Sequence, residues 1–156
     1  QKNAFYPASY GLSNIITVTA HDRKTQLLAS ANYGKIQVDI FAPGDRIKSS
    51  LPYRRAGYLT GTSQSTAFVT GVSALIKSKY PHLKAQQIKK IITKSAYREV
   101  SMMSKCRSGG RLDAGKALEL ADRLVAGVDS RQDSKAAIRE LATKKRKGKI
   151  IYHRSN

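Results

Sequence analysis

Apolar positions follow two rhythms along this chain. NIITVTA (residues 14–20) is β-branched and mostly apolar, the pattern of a strand buried on both faces of a parallel sheet. HDRKTQ then reads as a polar connection. IQVDIFAPG (36–44) is expected to form a second short strand ended by Pro43-Gly44, and RIKSSLP (46–52) a third near an edge. From Gln64 to about Tyr80 the period lengthens. Ala67, Phe68, Val69, Val72, Ala74, Leu75 and Ile76 leave little polar surface before Lys77, so this helix should be largely enclosed by protein until Pro81 stops it. AQQIKKIITKSAY (85–97) sets Ile88, Ile91, Ile92 and Ala96 on one face and lysines on the other, an outer amphipathic helix. Gly109 and Gly110 break the chain before LDAGKALELADRLVA (112–126), where Asp113 can cap a third helix.

The remainder differs in kind. Within DSRQDSKAAIRELATKKRKGKIIYHRSN, Ala137, Ile138 and Leu141 make one short apolar stripe with Ser134 as its cap, followed by the run KKRKGK and a small patch IIY. The expected organisation is therefore residues 1–120 as one unit and 121–156 as a basic helical tail. At 156 residues and 40% hydrophobic content the chain can build one ordinary core. No apolar run is long enough to span a bilayer, and the polar start QKNAFYPASYG lacks the apolar centre of a signal peptide, so any export address is expected upstream.

Charge changes the picture more than composition does. The formal net charge is +19, a strong field for a chain of this size, and it predicts an anionic partner. The excess is spread, +13 before residue 121 and +6 after it, which suits adhesion or solubility better than a dedicated reading site. No zinc-finger spacing, aromatic RNA-binding signature or heptad-plus-basic region occurs, which argues against nucleic acid. The basic tail is expected to touch an anionic surface or to remain a solvated face. The single Cys106 cannot form an intrachain disulfide, and a bland surface or part-buried thiol is the expectation.

The stretch YLTGTSQSTAFVTGVSALI (58–76) carries the candidate chemistry. A serine in the first turn of a helix sits where free backbone N–H groups and the positive end of the dipole converge, which stabilises negative charge on an attacked carbonyl oxygen. Gly61 would let the chain turn tightly and leave space for that carbonyl. Taken alone, Gly-Thr-Ser before an apolar helix is more often just an N-cap with a turn.

Four segments together go further. YPASYGLSNIITVTA, NYGKIQVDIFAPG, GTSQSTAFVTGVSALI and GGRLDAGKAL occur in that order, and over residues 5–120 the chain resembles the C-terminal half of the subtilisin-like serine proteases. The resemblance implies an α/β fold, the C-terminal part of a parallel-sheet three-layer domain with a short helical basic tail added. It implies Ser63 as nucleophile, with its own backbone N–H as one oxyanion donor. Gly61, Thr62, Thr66 and Gly71 match the nucleophile motif. Tyr6, Pro7 and Ala8 match the floor of the pocket for the side chain before the cut, with the Tyr6–Pro7 bond cis; Phe5 would crowd that floor if it points inward.

Departures from the family pattern are as informative as matches. Its Pro and His are Ala67 and Phe68 here, and Lys84 stands where Ser or Thr often caps the next helix, a loss of about 1 kcal/mol unless another group substitutes. The Asp-[Ser/Thr]-Gly, His-Gly-x-His and Ala-Gly-Asn motifs that precede the serine are absent. His21, His82 and His153 each read as solvated rather than as a base, and Asp39 and Asp45 as structural. Without a base a serine hydroxyl is a poor nucleophile, and loss of triad function in subtilisin costs on the order of 10⁶ in turnover. The expectation is a serine endopeptidase completed by an N-terminal portion of the same domain, as a cleaved chain or upstream residues. That portion would supply Asp, His and the oxyanion Asn, and this chain alone would be incompetent. The alternative is a catalytically inactive scaffold in a larger assembly. Many family members bind calcium, but no cofactor and no metal ligands are expected from this sequence. The resemblance also implies export to periplasm, envelope or extracellular space, and a polypeptide as substrate or assembly partner.

Overall fold

A computed structural model describes residues 5–127. Residues 1–4, the helix expected after Ser134, KKRKGK, IIY and His153 lie outside the described residues. Chain contacts divide the protein into residues 1–120 and 121–156.

In the first unit, β1 (Val18–His21), β2 (Ile40–Pro43) and a two-residue β6 (Gly110–Arg111) run parallel, and β5 (Tyr97–Arg98) closes the sheet antiparallel, in the order β1-β2-β6-β5. β1 starts later than the apolar run predicts. Residues 14–17 instead lead into it through a turn and irregular chain, and the strand proper contributes Thr19 and Ala20, both fully buried. RIKSSLP is no part of this sheet. Ile47–Leu51 (β3) pairs antiparallel with Arg55–Leu59 (β4) as a separate hairpin, its turn made by Tyr53 and Arg54 at φ 61° and 56°. A hairpin turn of that handedness ordinarily carries glycine or asparagine, and neither marks this one.

α1 (Thr62–Lys79) lies on β1 and β2, and α2 (Ala85–Lys94) packs against α1. The turn after α1 is fixed by Lys77, whose ammonium donates to the carbonyls of Pro81 (2.5 Å) and Leu83 (2.8 Å), a cation where the helix dipole favours one. α2 buries Ile88, Ile91 and Ile92 as its period predicts, each contributing roughly 1.5–3 kcal/mol. Lys84 offers no side-chain acceptor at its start; the Lys84 N–H donates instead to Gln87 Oε1 at 2.8 Å, so the substitute cap reaches back from the first turn. Residues 114–120 are helical, and the Lys116 N–H donates to Asp113 Oδ1 at 3.0 Å, the N-cap foreseen for Asp113. In the second unit, residues 121–127 are helical.

Val38, Phe41, Met102 and Cys106 form a core with Leu27 packed against them. Cys106 is fully buried, contrary to the expected surface or part-buried thiol. The reason is long-range: residues 102–109 fold back on the chain before β2, through Arg107 N–H to the Val38 carbonyl (2.8 Å) and Ser108 N–H to the Asp39 carbonyl (3.0 Å). Gly110 is obligatory for a related reason, since a Cβ there would collide with the Tyr97 carbonyl of the neighbouring strand.

Candidate active site

The N-terminus of α1 is docked against the end of β2. The Gly61 N–H donates to the Gly44 carbonyl at 2.8 Å, and Ser65, fully buried, directs its hydroxyl to the carbonyls of Ala42 (3.0 Å) and Pro43 (3.1 Å). This contact requires a glycine at 44. A Cβ there would lie 2.5 Å from Ser65 Oγ and 2.6 Å from Ala20 Cβ. The Ala-Pro-Gly passage thus seats the helix start, and Ser65 is the buried anchor that sequence reasoning passed over. Its partners lie more than twenty residues away, beyond any local pattern.

Anchoring Ser65 inward turns Ser63 outward. Ser63 is exposed in the first turn of α1, and no side chain caps that turn, so its N–H groups keep the dipole's positive end uncompensated. Gly61 is the N-cap at φ 159° and ψ 169°, an extended residue and not the tight turn expected of it. Thr66 donates its hydroxyl to the Thr62 carbonyl at 2.9 Å.

Two cavities meet this turn. One, of about 500 Å³, lies between β3 and α1, with Ser63, Gln64, Ala67, Phe68, Gly71 and Leu75 along its helical wall and Ile47 opposite. The other, of about 430 Å³, brings Phe5, Pro7 and Ala8 together with Thr62 and Thr66. The Tyr6–Pro7 peptide is cis, and Tyr6 stands mostly in solvent, its ring 4.9 Å from that of Tyr10. Phe5 is largely exposed yet lines the second cavity. Gly71 faces open space: nothing lies within 4 Å of an added Cβ.

None of the residues lining the Ser63 cavity is a histidine or a carboxylate. His21 lines a different cavity, beside Asp45 and Arg46, and it is not the solvated residue foreseen but buried at the end of β1. Its Nδ1–H donates to the Asp22 carbonyl at 2.7 Å, and its Nε2 is buried without a partner. His82 is exposed, its ring centroid 6.3 Å from that of Tyr80 at an interplanar angle of 71°. Asp39 and Asp45 are structural as read: Asp39 is buried against Lys89 at 2.8 Å, and Asp45 Oδ1 accepts from Thr60 Oγ1 at 3.2 Å. Among the described residues no group of three or more His, Cys, Asp or Glu side chains is arranged to hold a metal ion. Nor is any described helix long and apolar enough to cross a membrane.

The parallel sheet, the buried-serine anchor and an outward serine in an uncapped first turn define the α/β core of a subtilisin-like domain. The profile of the subtilase family matches residues 1–139, past the point where the resemblance read in the sequence ends, and the chain belongs to that family. It is 38% identical over 91 residues to a thermostable alkaline protease of Halalkalibacterium halodurans, covering 58% of this chain and 24% of that one. It is 33% identical over 96 residues to subtilisin DY of Bacillus licheniformis, covering 62% and 34%. Among solved structures, the A-subunit of the AB5 toxin from E. coli superposes with a TM-score of 0.65 at 29% identity, over 74% of this chain and 43% of that one. The chain therefore spans about a quarter to a third of the length of these curated relatives.

Proposed function

We propose that this chain is the nucleophile-bearing C-terminal part of a subtilisin-like serine endopeptidase, completed by an N-terminal portion that supplies the aspartate, the histidine and the oxyanion asparagine. The observation that carries the reading is Ser63, exposed in an uncapped first turn at the mouth of a largely apolar cavity lined by no histidine and no carboxylate. In the completed domain an incoming imidazole takes the Ser63 proton and Oγ attacks the scissile carbonyl. The Ser63 backbone N–H, with the asparagine, holds the resulting oxyanion. Proton return to the leaving amine gives an acyl-enzyme, which water then hydrolyses. Pro7 and Ala8, with Thr62 and Thr66 across the second cavity, take the side chain preceding the cut.

Two features support a complementary portion. β1 is the end strand of its sheet although Thr19 and Ala20 are fully buried, so its outer edge suits further strands. Phe68 and Leu75, 43% and 55% exposed, leave an apolar wall beside Ser63 that a partner would cover. Export, a polypeptide substrate and an anionic contact for the basic tail belong to the same proposal.

The test is a fluorophosphonate probe on the native assembly. Labelling of the wild type at Ser63, with none in Ser63→Ala, is the expected result; an intact, unlabelled Ser63 overturns the reading. The missing base favours a second reading, an inactive scaffold. The upstream sequence separates the two, because substitution of the Asp-[Ser/Thr]-Gly or His-Gly-x-His motif there decides for the scaffold.

A further inference from the structure

The end of β1 and the β3–β4 hairpin border a cavity of about 690 Å³ that the chemistry at Ser63 does not use. Four basic side chains line it, Arg23, Arg46, Lys48 and Arg111, against the carboxylates of Asp22 and Asp45. Among the described residues neither carboxylate forms an ion pair. Asp22 Oδ1 accepts from the N–H groups of Lys24 and Gln26, each at 2.8 Å, and Asp45 Oδ1 from Thr60 Oγ1 at 3.2 Å. Of the four cations only Arg111 has a counter-charge, Glu99 at 3.1 Å. The Arg46 guanidinium instead lies 5.6 Å over the ring of Tyr58, a further lining residue. Arg23 and Lys48 are exposed and meet no acidic group among the described residues.

Cations gathered in a concave site raise its potential, because low-dielectric walls focus the field there, and their mutual repulsion is relieved by an anion. Three features say which anion. Arginine and tyrosine side by side are the residues enriched where proteins bind polypeptides. Asp22 and Asp45 interrupt the positive surface, which suits separate carboxylates better than a continuous phosphate backbone. Ile47, Lys48 and Phe68 line this cavity and also the one that opens on Ser63, so the two share a wall and a chain seated at Ser63 can extend into the basic one. The cleft is also preset in shape. Thr25 and Arg46 line it at φ 56° and 48°, left-handed values at residues other than glycine, each fixed by its N–H: Thr25 to the Asp22 carbonyl (3.1 Å), Arg46 to Thr60 Oγ1 (2.9 Å).

We propose that this cleft binds an acidic stretch of the polypeptide substrate, with Arg23 and Lys48 as the cations that meet its carboxylates. The proposal rests on the reading of Ser63 as nucleophile and names the class of chain it acts on, one with glutamates or aspartates a short way from the cut bond. Arg23 and Lys48 determine specificity and take no part in the chemistry.

The experiment uses the full native protein carrying Ser63→Ala, so that peptides bind without being cut. Fluorescent peptides share a core that the wild type cleaves, with a run of glutamates or of glutamines placed before the core in one pair and after it in another. In one pair the glutamate form should bind about tenfold more tightly. Arg23→Gln with Lys48→Gln should bring that pair within about twofold, with melting unchanged because both positions are exposed. Lys90→Gln with Lys94→Gln removes the same charge from exposed positions on α2 and should leave the preference intact. In the wild type the preference should fall on KM, with kcat altered less than about twofold.

No preference for glutamate in either pair, or an equal loss in the two double variants, overturns the proposal; the second result would mean attraction by the whole molecule's charge. A short single-stranded DNA that binds more tightly than the acidic peptides, and is released by Arg23→Gln with Lys48→Gln, overturns it in favour of nucleic acid. Binding does not use the Ser63 hydroxyl, so a Ser63 that fails to label leaves the measured preference standing, and a labelled Ser63 without a preference sinks the cleft alone.

Discussion

The two long helices of the first unit face opposite situations. α2 is finished: its isoleucines at 88, 91 and 92 are buried, Lys90 and Lys94 are exposed, and Gln87 closes its start. α1 is not. Ser65, Val69, Val72 and Ile76 are buried on the sheet, while Phe68 and Leu75 on another face are exposed beside Ala67 and Gly71. The enclosure expected of this helix is therefore met on one side only. An amphipathic pattern describes a helix between one layer and water, and an apolar pattern all round describes a helix between two layers. By that rule α2 has all the protein it needs and α1 has half.

The comparison breaks most sharply in chemistry. Ser63→Ala in the completed protein should lower peptide hydrolysis by on the order of 10⁶, with melting shifted by less than about 1 °C, since an exposed first-turn serine holds no packing. Kinetics and calorimetry on the same sample check both halves. A large fall in melting temperature would mean that Ser63, like Ser65, is an anchor.

Next comes the bare face. If a second layer covers α1, Phe68→Asp buries an unpaired carboxylate and should cost the completed protein about 3–5 kcal/mol, whereas an exposed position would tolerate it within about 0.5 kcal/mol. Thiol chemistry sharpens the same contrast. Cys106 is fully buried, so the native protein offers little background, and a cysteine placed at Leu75 should be protected from a maleimide in the assembly. Rapid labelling would leave α1 with an open face.

What could be read in advance divides along the same line. α2 and the cap at Asp113 follow from neighbours three and four residues apart, and both were legible. Ser63 was legible as a motif residue, because the turn that displays it is written in consecutive letters. β5 and β6 were not, being two residues each and held by a close approach of Gly110 to the Tyr97 carbonyl. The β3–β4 turn hid because Tyr53 and Arg54 take positive φ without a glycine to announce it. Ser65, Gly44, Cys106 and Lys89 take their meaning from partners twenty to seventy residues away, and His21 was misread as solvated for the same reason. In each case the signal was long-range contact, which local pattern does not carry.

For α2 the expected costs are smaller and independent of any partner. Ile91→Ala removes a side chain only 1% exposed and should cost about 3 kcal/mol by denaturant unfolding.

The smallest effect tests how α2 manages without a conventional cap. Lys84 is extended, at φ −76° and ψ 156°, and its N–H is taken by Gln87 Oε1, while the Gln87 N–H donates to the Lys84 carbonyl at 2.9 Å. Half of a capping box therefore operates with a residue that has no acceptor of its own. Gln87→Ala removes that half and should cost about 1 kcal/mol, and Lys84→Asp should return a similar amount by supplying the missing acceptor and a negative charge at the helix start. The double variant discriminates further. With Gln87 gone, Lys84→Asp should still gain its cap, because aspartate accepts from the N–H groups of the first turn and does not compete for its own. A gain in Lys84→Asp that vanishes once Gln87 is alanine would mean that the two ends of the box act as one unit.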